Sequence, residues 1–232
     1  MDAEVGARFG AASDADQGRG RRRRRAVELW TGGKDSCLAL HLVREQRADV
    51  EVVALVTFVP SGGGGGGATT EFKAHPQTEM RSQAARLGLP LHFVEVAEPY
   101  EASYASGLTW VRDALGATVV VTGDIDLVNG MPNWIEARCE GLGVDVERPL
   151  WLKPREWVLQ QVLARGIKAR FTYLAHPALP REWLGRVIDA AVVQELKAIS
   201  ASAGGVDAAG ENGEYHTMVV DAPGFVFPPT AT

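Results

Sequence analysis

The chain is poor in cysteine: Cys37 and Cys139 are the only two in 232 residues, and they form no Cys-x-x-Cys pattern. Such usage excludes a disulfide scaffold and a zinc cluster, and it suits a reducing compartment, with the cytoplasm as the expected location. No apolar run approaches the ~18–20 residues that span a bilayer, and no apolar signal core opens the sequence. No membrane partner and no export are expected. Aromatic residues are few at 7%, yet hydrophobic residues reach 46%, enough for one core, or one core with a small appendage.

Positive charge is concentrated at one end. The formal net charge is −5, but residues 1–25 carry seven arginines against four acids, which leaves −8 on the remainder. With almost no apolar content, this basic segment reads as a disordered, solvated tail, and no direct contact with nucleic acid is expected. The one low-complexity stretch is Gly62 to Gly67, which reads as a neutral insertion in a surface loop.

What is present is a regular alternation. Apolar strands are expected over 26–30, 50–59, 91–96 and 118–122, with helices over 35–47, 77–87 and 100–115 between them. Gly88 and Gly116 close the second and third helices. This grammar predicts an α/β fold, a doubly wound parallel sheet with right-handed crossovers. After residue 133 the pattern loosens into helices over 132–141, 154–164 and 181–200, and strands over 167–174 and 218–221. These read as a smaller C-terminal α/β part on the carboxyl edge of the sheet. The expected division is a tail over 1–25, a Rossmann-like domain over 26–132 and a substrate-facing domain over 133–232.

Chemistry concentrates where the first strand gives way to the first helix, at Thr31-Gly32-Gly33-Lys34-Asp35-Ser36. Two glycines permit a tight turn and close approach of backbone N–H groups. The helix start adds unpaired N–H groups and a positive dipole end, Lys34 a mobile cation and Ser36 a hydroxyl. These features make a phosphate site. It is not the usual P-loop, because Glu28 and Asp35 stand where that pattern needs glycine and Ser or Thr.

Two further clusters should meet it at the carboxyl ends of the strands. Gly123-Asp124 follows the fourth strand directly, and Asp124 is the preferred Mg2+ ligand, with Asp126 the second choice. Gly210-Glu211-Asn212-Gly213-Glu214-Tyr215-His216-Thr217 packs two carboxylates, an amide and an imidazole into eight residues around an Asn-Gly turn. It reads either as a polar hairpin tip or as a group able to orient an amine and act as general base through Glu211, Glu214 or His216. Cys139 reads as core and Cys37 as packing beneath the loop, while His75 reads as a surface loop residue.

The phosphate loop resembles that of the ATP pyrophosphatases, with Thr31 in place of the first serine. Together with Gly123-Asp124-Ile125, Cys139 with Leu142-Gly143, Pro149-Leu150-Trp151 and the 210–217 block, it resembles the diphthine–ammonia ligase family over about residues 27–227. The resemblance implies an ATP pyrophosphatase domain and an ATP-dependent carbon–nitrogen ligase. Such an enzyme uses ATP and Mg2+ to turn a carboxylate into an acyl-adenylate, which ammonia then amidates. The implied acceptor is diphthine on elongation factor 2.

By the same resemblance, Thr31, Gly32, Gly33, Lys34, Asp35, Ser36, Gly123 and Asp124 would bind nucleotide. Lys34, Asp35, Glu211, Glu214 and His216 would carry the catalysis. Between the Gly-Asp-Ile block and Cys139 the sequence departs from the family: Gly130-Met131 stand where Tyr-Gln is usual and Trp134 where arginine is usual. The ATP half thus matches more closely than the acceptor half, which leaves open another acceptor, a small or cobalamin-related molecule included. A non-catalytic ATP sensor is the remaining alternative, although the Gly-x2-Gly-x9-Gly run of the universal-stress type is absent. An oligomer is compatible with the sequence.

Overall fold

A computed structural model describes residues 22–61, 74–127, 133–202 and 205–226. The basic segment up to residue 21, the Gly62–Gly67 run and the Gly130-Met131 pair lie outside the described residues.

Five parallel strands form the main sheet in the order β3-β2-β1-β4-β5. They are β1 (Arg24–Leu29), β2 (Val50–Pro60), β3 (Leu91–Val96), β4 (Val119–Val121) and β5 (Asp145–Glu147). The helices α1 (Lys34–Gln46), α2 (Gln77–Leu87), α3 (Tyr100–Leu115) and α4 (Trp134–Cys139) connect them in turn. Leu38, Met80 and Ala84 from α1 and α2 pack on one face. Leu108, Val111, Ile135 and Cys139 from α3 and α4 pack on the other. With both faces covered, β4 is apolar throughout, and β1 buries Ala26 and Val27 beside one charged residue, Glu28. This is the expected doubly wound, Rossmann-like α/β sheet.

After α5 (Arg155–Ala164), β6 (Lys168–Leu174) pairs antiparallel with β7 (Tyr215–Asp221), and α6 (Ala190–Ala201) covers this smaller C-terminal unit. Phe171, Trp183, Val192, Leu196 and Tyr215 form its core. None of the described helices is long and apolar enough to cross a membrane.

Four local readings change. The strand expected from residue 26 begins at Arg24, so two arginines assigned to the tail belong to the sheet. Arg24 pairs with Asp145 and donates to the Thr118 carbonyl, and Arg25 donates to the Leu115 carbonyl. The three-residue β5 was not expected, being too short to show a periodicity. The helix expected over 132–141 is confined to Trp134–Cys139, where the Asn133 side chain caps its start by accepting from Glu136 N.

The single helix expected over 181–200 is broken. A 3-10 turn at Arg181–Trp183 is followed by a segment hydrogen-bonded to β6 through Phe171 and Ala169, and only then by α6. Gly185 takes φ +83 in that segment, and Asp189 caps α6 by accepting from Val192 N at 2.8 Å. A left-handed glycine and an internal N-cap are what stop a helical pattern from continuing.

The chain order fixes where a ligand can sit. From β1 it runs outward through β2 to β3, then returns to β4 on the other side of β1. The crevice between the carboxyl ends of β1 and β4 is therefore the topological switch point.

Candidate active site

The loop after β1 and the loop after β4 meet at that crevice. Gly123 lies so close to the first turn of α1 that an added Cβ would sit 2.7 Å from both the Asp35 carbonyl carbon and the Ser36 nitrogen. Glycine at 123 thus brings Asp124 alongside the phosphate loop. Gly32 has φ +76, and a Cβ there would fall 2.6 Å from Gln83 Oε1 and Met218 Sδ.

Strand β7 holds the loop from the far side. Val219 N donates to the Gly32 carbonyl at 2.9 Å, and Lys34 N donates to Thr217 Oγ1 at 3.1 Å. Gly33 N donates to Thr31 Oγ1 at 3.3 Å, and Ser36 Oγ donates to the Gly33 carbonyl at 3.2 Å. The loop expected from local sequence is therefore shaped by contacts with a strand some 185 residues away.

Beneath it lies a cleft of two lobes. One, of about 360 Å³, is walled by Leu29, Trp30, Val56, Phe58, Tyr104 and Ile135, with Ser36, Thr122 and Gly123 at one end. The other, of about 620 Å³, is lined by Gly33, Lys34, His75, Gly210, Asn212, Tyr215, His216 and Thr217. Thr31, Asp35, Asp124 and Glu211 line both lobes. The first lobe is walled mainly by apolar side chains, and the second is the more polar of the two.

Lys34 is not the mobile cation expected from the sequence. Its side chain is 3% exposed, and Nζ donates to Asp35 Oδ2 at 2.8 Å and to the Ala209 carbonyl, 5.0 Å from the Tyr215 ring centroid. Burial opposes its charge, but the Asp35 carboxylate, the Tyr215 ring and the Glu211 carboxylate outweigh it and raise the pKa. The lysine enters the cleft charged and held by the C-terminal loop.

Glu211 joins the two halves. Its Oε1 accepts from Ile125 N at 3.0 Å and from Asp126 N at 3.3 Å. Burial, opposed by these amides and assisted by Asp35, pushes its carboxyl up to about 7. Asp126, the second choice for a metal ligand, instead pairs with Arg155 at 3.0 Å, and Arg155 also holds Asp207 at 2.7 Å. Asp124 Oδ2 accepts from Asn133 Nδ2 at 2.5 Å.

Glu214 turns inward. Its Oε1 accepts from Asp207 N at 2.8 Å and its Oε2 from Asn212 N at 3.0 Å, so both oxygens organise the loop. His216 stays at the cleft, with its ring centroid 5.1 Å from that of His75 and 5.6 Å from that of Tyr173.

Sequence reasoning missed His75 and Asn133. His75 lines the polar lobe, half-buried, its Nδ1 shielded from solvent and without a partner. Burial, and then the neighbouring His216, pull its pKa down to about 4, so the ring is neutral at pH 7. A lone histidine after a glycine-rich stretch carries no local sign of this. Asn133 had one, as a cap residue ahead of a helix-period segment. Both thiols are buried and shifted upward, Cys139 to about 11, which suits packing and not nucleophilic attack.

The donor set fits a hard divalent cation. Asp35 Oδ1 is buried without a hydrogen-bond partner, and Asp124 and Glu211 share its cleft wall. No group of three or more metal-ligating side chains occurs among the described residues. Mg2+ characteristically binds through one or two carboxylates together with substrate phosphates, and Asp35 and Asp124 are carboxylates of that kind.

A glycine loop at a switch point is common to many nucleotide sites, and what narrows this one is similarity along the whole chain. Residues 24–146 match the diphthamide synthase N-terminal domain, and residues 154–228 match the diphthamide synthase C-terminal domain. The chain belongs to the diphthamide synthase family. For this family an ATP-dependent, diphthine–ammonia ligase-like activity is implied, with the N-terminal domain carrying the crevice between β1 and β4. No curated protein matches the chain. In this member of the diphthamide synthase family, loop 205–214 of the C-terminal domain closes one side of the cleft that the N-terminal domain opens.

Proposed function

We propose that the chain activates an acceptor carboxylate with ATP and amidates it with ammonia, the acceptor being diphthine on elongation factor 2. The observation that carries this reading is the shared wall. Asp35, Asp124 and Glu211 border both the apolar lobe and the polar lobe, so a nucleotide in the first presents its α-phosphate to an acceptor in the second.

In the first step an acceptor carboxylate oxygen attacks the α-phosphorus, and the bond to the β-phosphate oxygen breaks, releasing pyrophosphate. In the second, ammonia attacks the acyl carbon, AMP leaves and the nitrogen loses a proton. Lys34 and the amides at the start of α1 face the charge that moves onto pyrophosphate. Mg2+ bound at Asp124 and Asp35 would neutralise phosphate charge that these carboxylates would otherwise repel. Glu211, titrating near 7, is matched to take the proton from the incoming amine. The neutral His75 ring, with the His216 ring beside it, walls the polar lobe and limits water, which would hydrolyse the adenylate.

Supplying ATP, Mg2+, ¹⁵N-ammonium and diphthine-bearing elongation factor 2 tests the acceptor. Incorporation of one ¹⁵N amide, dependent on ATP, is the expected result. AMP release without a labelled acceptor would assign the same chemistry to a different carboxylate, a reading that Trp134 favours. This residue replaces an arginine usual in the family's acceptor motif; it is 40% exposed, with the Arg138 guanidinium over its ring and Tyr104 edge-on to it.

A further inference from the structure

Helix α2 presents Met80, Gln83, Ala84 and Leu87 as one buried face. A glutamine in an apolar stripe is expensive unless every polar atom is satisfied. Gln83 is 3% exposed, and its amide is fully used. Oε1 accepts from Trp30 Nε1 at 3.0 Å, while Nε2 donates to the Gly32 carbonyl at 3.0 Å and to the Val219 carbonyl at 2.7 Å. Chemistry fixes the orientation of the group. The indole N–H only donates and the two carbonyls only accept, so a flipped amide would lose all three bonds.

These three partners are the last residue before the phosphate loop, the first glycine of that loop and the β7 residue that grips it. Val219 N already donates to the Gly32 carbonyl, and Gln83 ties both residues of that contact to α2. Gly32 is also the loop position with a left-handed backbone, and the Gln83 carbonyl oxygen occupies the space a side chain there would take. The peptide following Gly32 carries the Gly33 amide, which donates to Thr31 Oγ1 at 3.3 Å, so whatever orients the Gly32 carbonyl also orients this first amide of the phosphate loop.

We infer that Gln83 is a positioning residue for nucleotide binding: through the Gly32 carbonyl it sets the direction of the loop amides without touching the ligand. The inference rests on the reading of the loop as the phosphate site. Gln83→Leu keeps the volume and removes all three bonds. Gln83→Glu keeps the shape but turns a donor toward two carbonyls into an acceptor. Buried there, the new carboxyl can donate one hydrogen bond only while protonated.

The test is the Kd for ATP with Mg2+, measured by calorimetry well below each variant's melting temperature, on samples shown to be folded. Both variants are expected to bind ATP at least about tenfold more weakly. The affinity of Gln83→Glu should recover in part on acidification, and that of Gln83→Leu should not. In the unmodified chain, the side-chain NH2 resonances of Gln83 should shift when ATP is added, a measurement independent of any variant's folding. Unaltered ATP affinity in both folded variants, with only a lowered melting temperature, would reduce Gln83 to a structural brace and overturn the inference. Failure of the unmodified chain to bind ATP would instead remove the phosphate-loop reading itself, and this inference with it.

Discussion

Glu211 Oε1 accepts the backbone N–H of Ile125 at 3.0 Å, joining a loop of the C-terminal unit to the strand end that carries Asp124. The carboxylate form makes this bond best, whereas burial favours the protonated form and holds the group at about 7. Formation of AMP should therefore rise with pH through a midpoint near 7, and Glu211→Gln should lower the rate and abolish that limb. Stability runs the other way. A carboxyl raised on folding contributes stability that is fully present below its unfolded value and lost as pH rises through about 7. Thermal melts of both proteins across this range should show a decline in the unmodified chain that is weaker in Glu211→Gln.

Lys34→Ala removes the charge proposed to face the departing pyrophosphate and leaves the half-buried Asp35 carboxylate and the buried Ala209 carbonyl without their donor. ATP turnover should fall by at least about 100-fold. Stability should drop by about 1–3 kcal/mol, the cost of unsatisfied buried groups, with the fold retained. Steady-state kinetics and a thermal melt check both, and unaltered turnover would remove the lysine from the chemistry.

Glu28 is fully buried near the carboxyl end of β1, and neither carboxylate oxygen has a hydrogen-bond partner. Burial first, and the Asp124 carboxylate second, hold its carboxyl well above the usual glutamate range, against a smaller opposing pull from Arg44. Glu28→Leu should stabilise the protein by roughly 1–3 kcal/mol. The gap should widen as pH rises above the ordinary glutamate pKa, because ionisation penalises only the glutamate form. A lower melting temperature in the leucine variant at pH 8 would contradict this.

Much of the framework was legible because its signals are local. The bounds of α2, β3 and α3 follow from apolar periodicity ended by Gly88 and Gly116, both left-handed in the structure. The meeting of Gly32-Gly33-Lys34 with Gly123-Asp124 followed from both lying at the carboxyl ends of strands in one parallel sheet. What escaped depends on distant partners. Neither the restraint on Lys34 by Ala209 nor the inward turn of Glu214 is written in neighbouring residues. The break after Trp183 was missed because residues 184–188 pair with β6, a tertiary contact that overrides a helical pattern.

The most direct test of the whole account is the fate of ATP in the unmodified protein supplied with Mg2+, ammonium and acceptor. With label on the α-phosphate, the account predicts AMP with an equal amount of pyrophosphate. Formation of ADP and orthophosphate, or intact ATP with every acceptor, would contradict it.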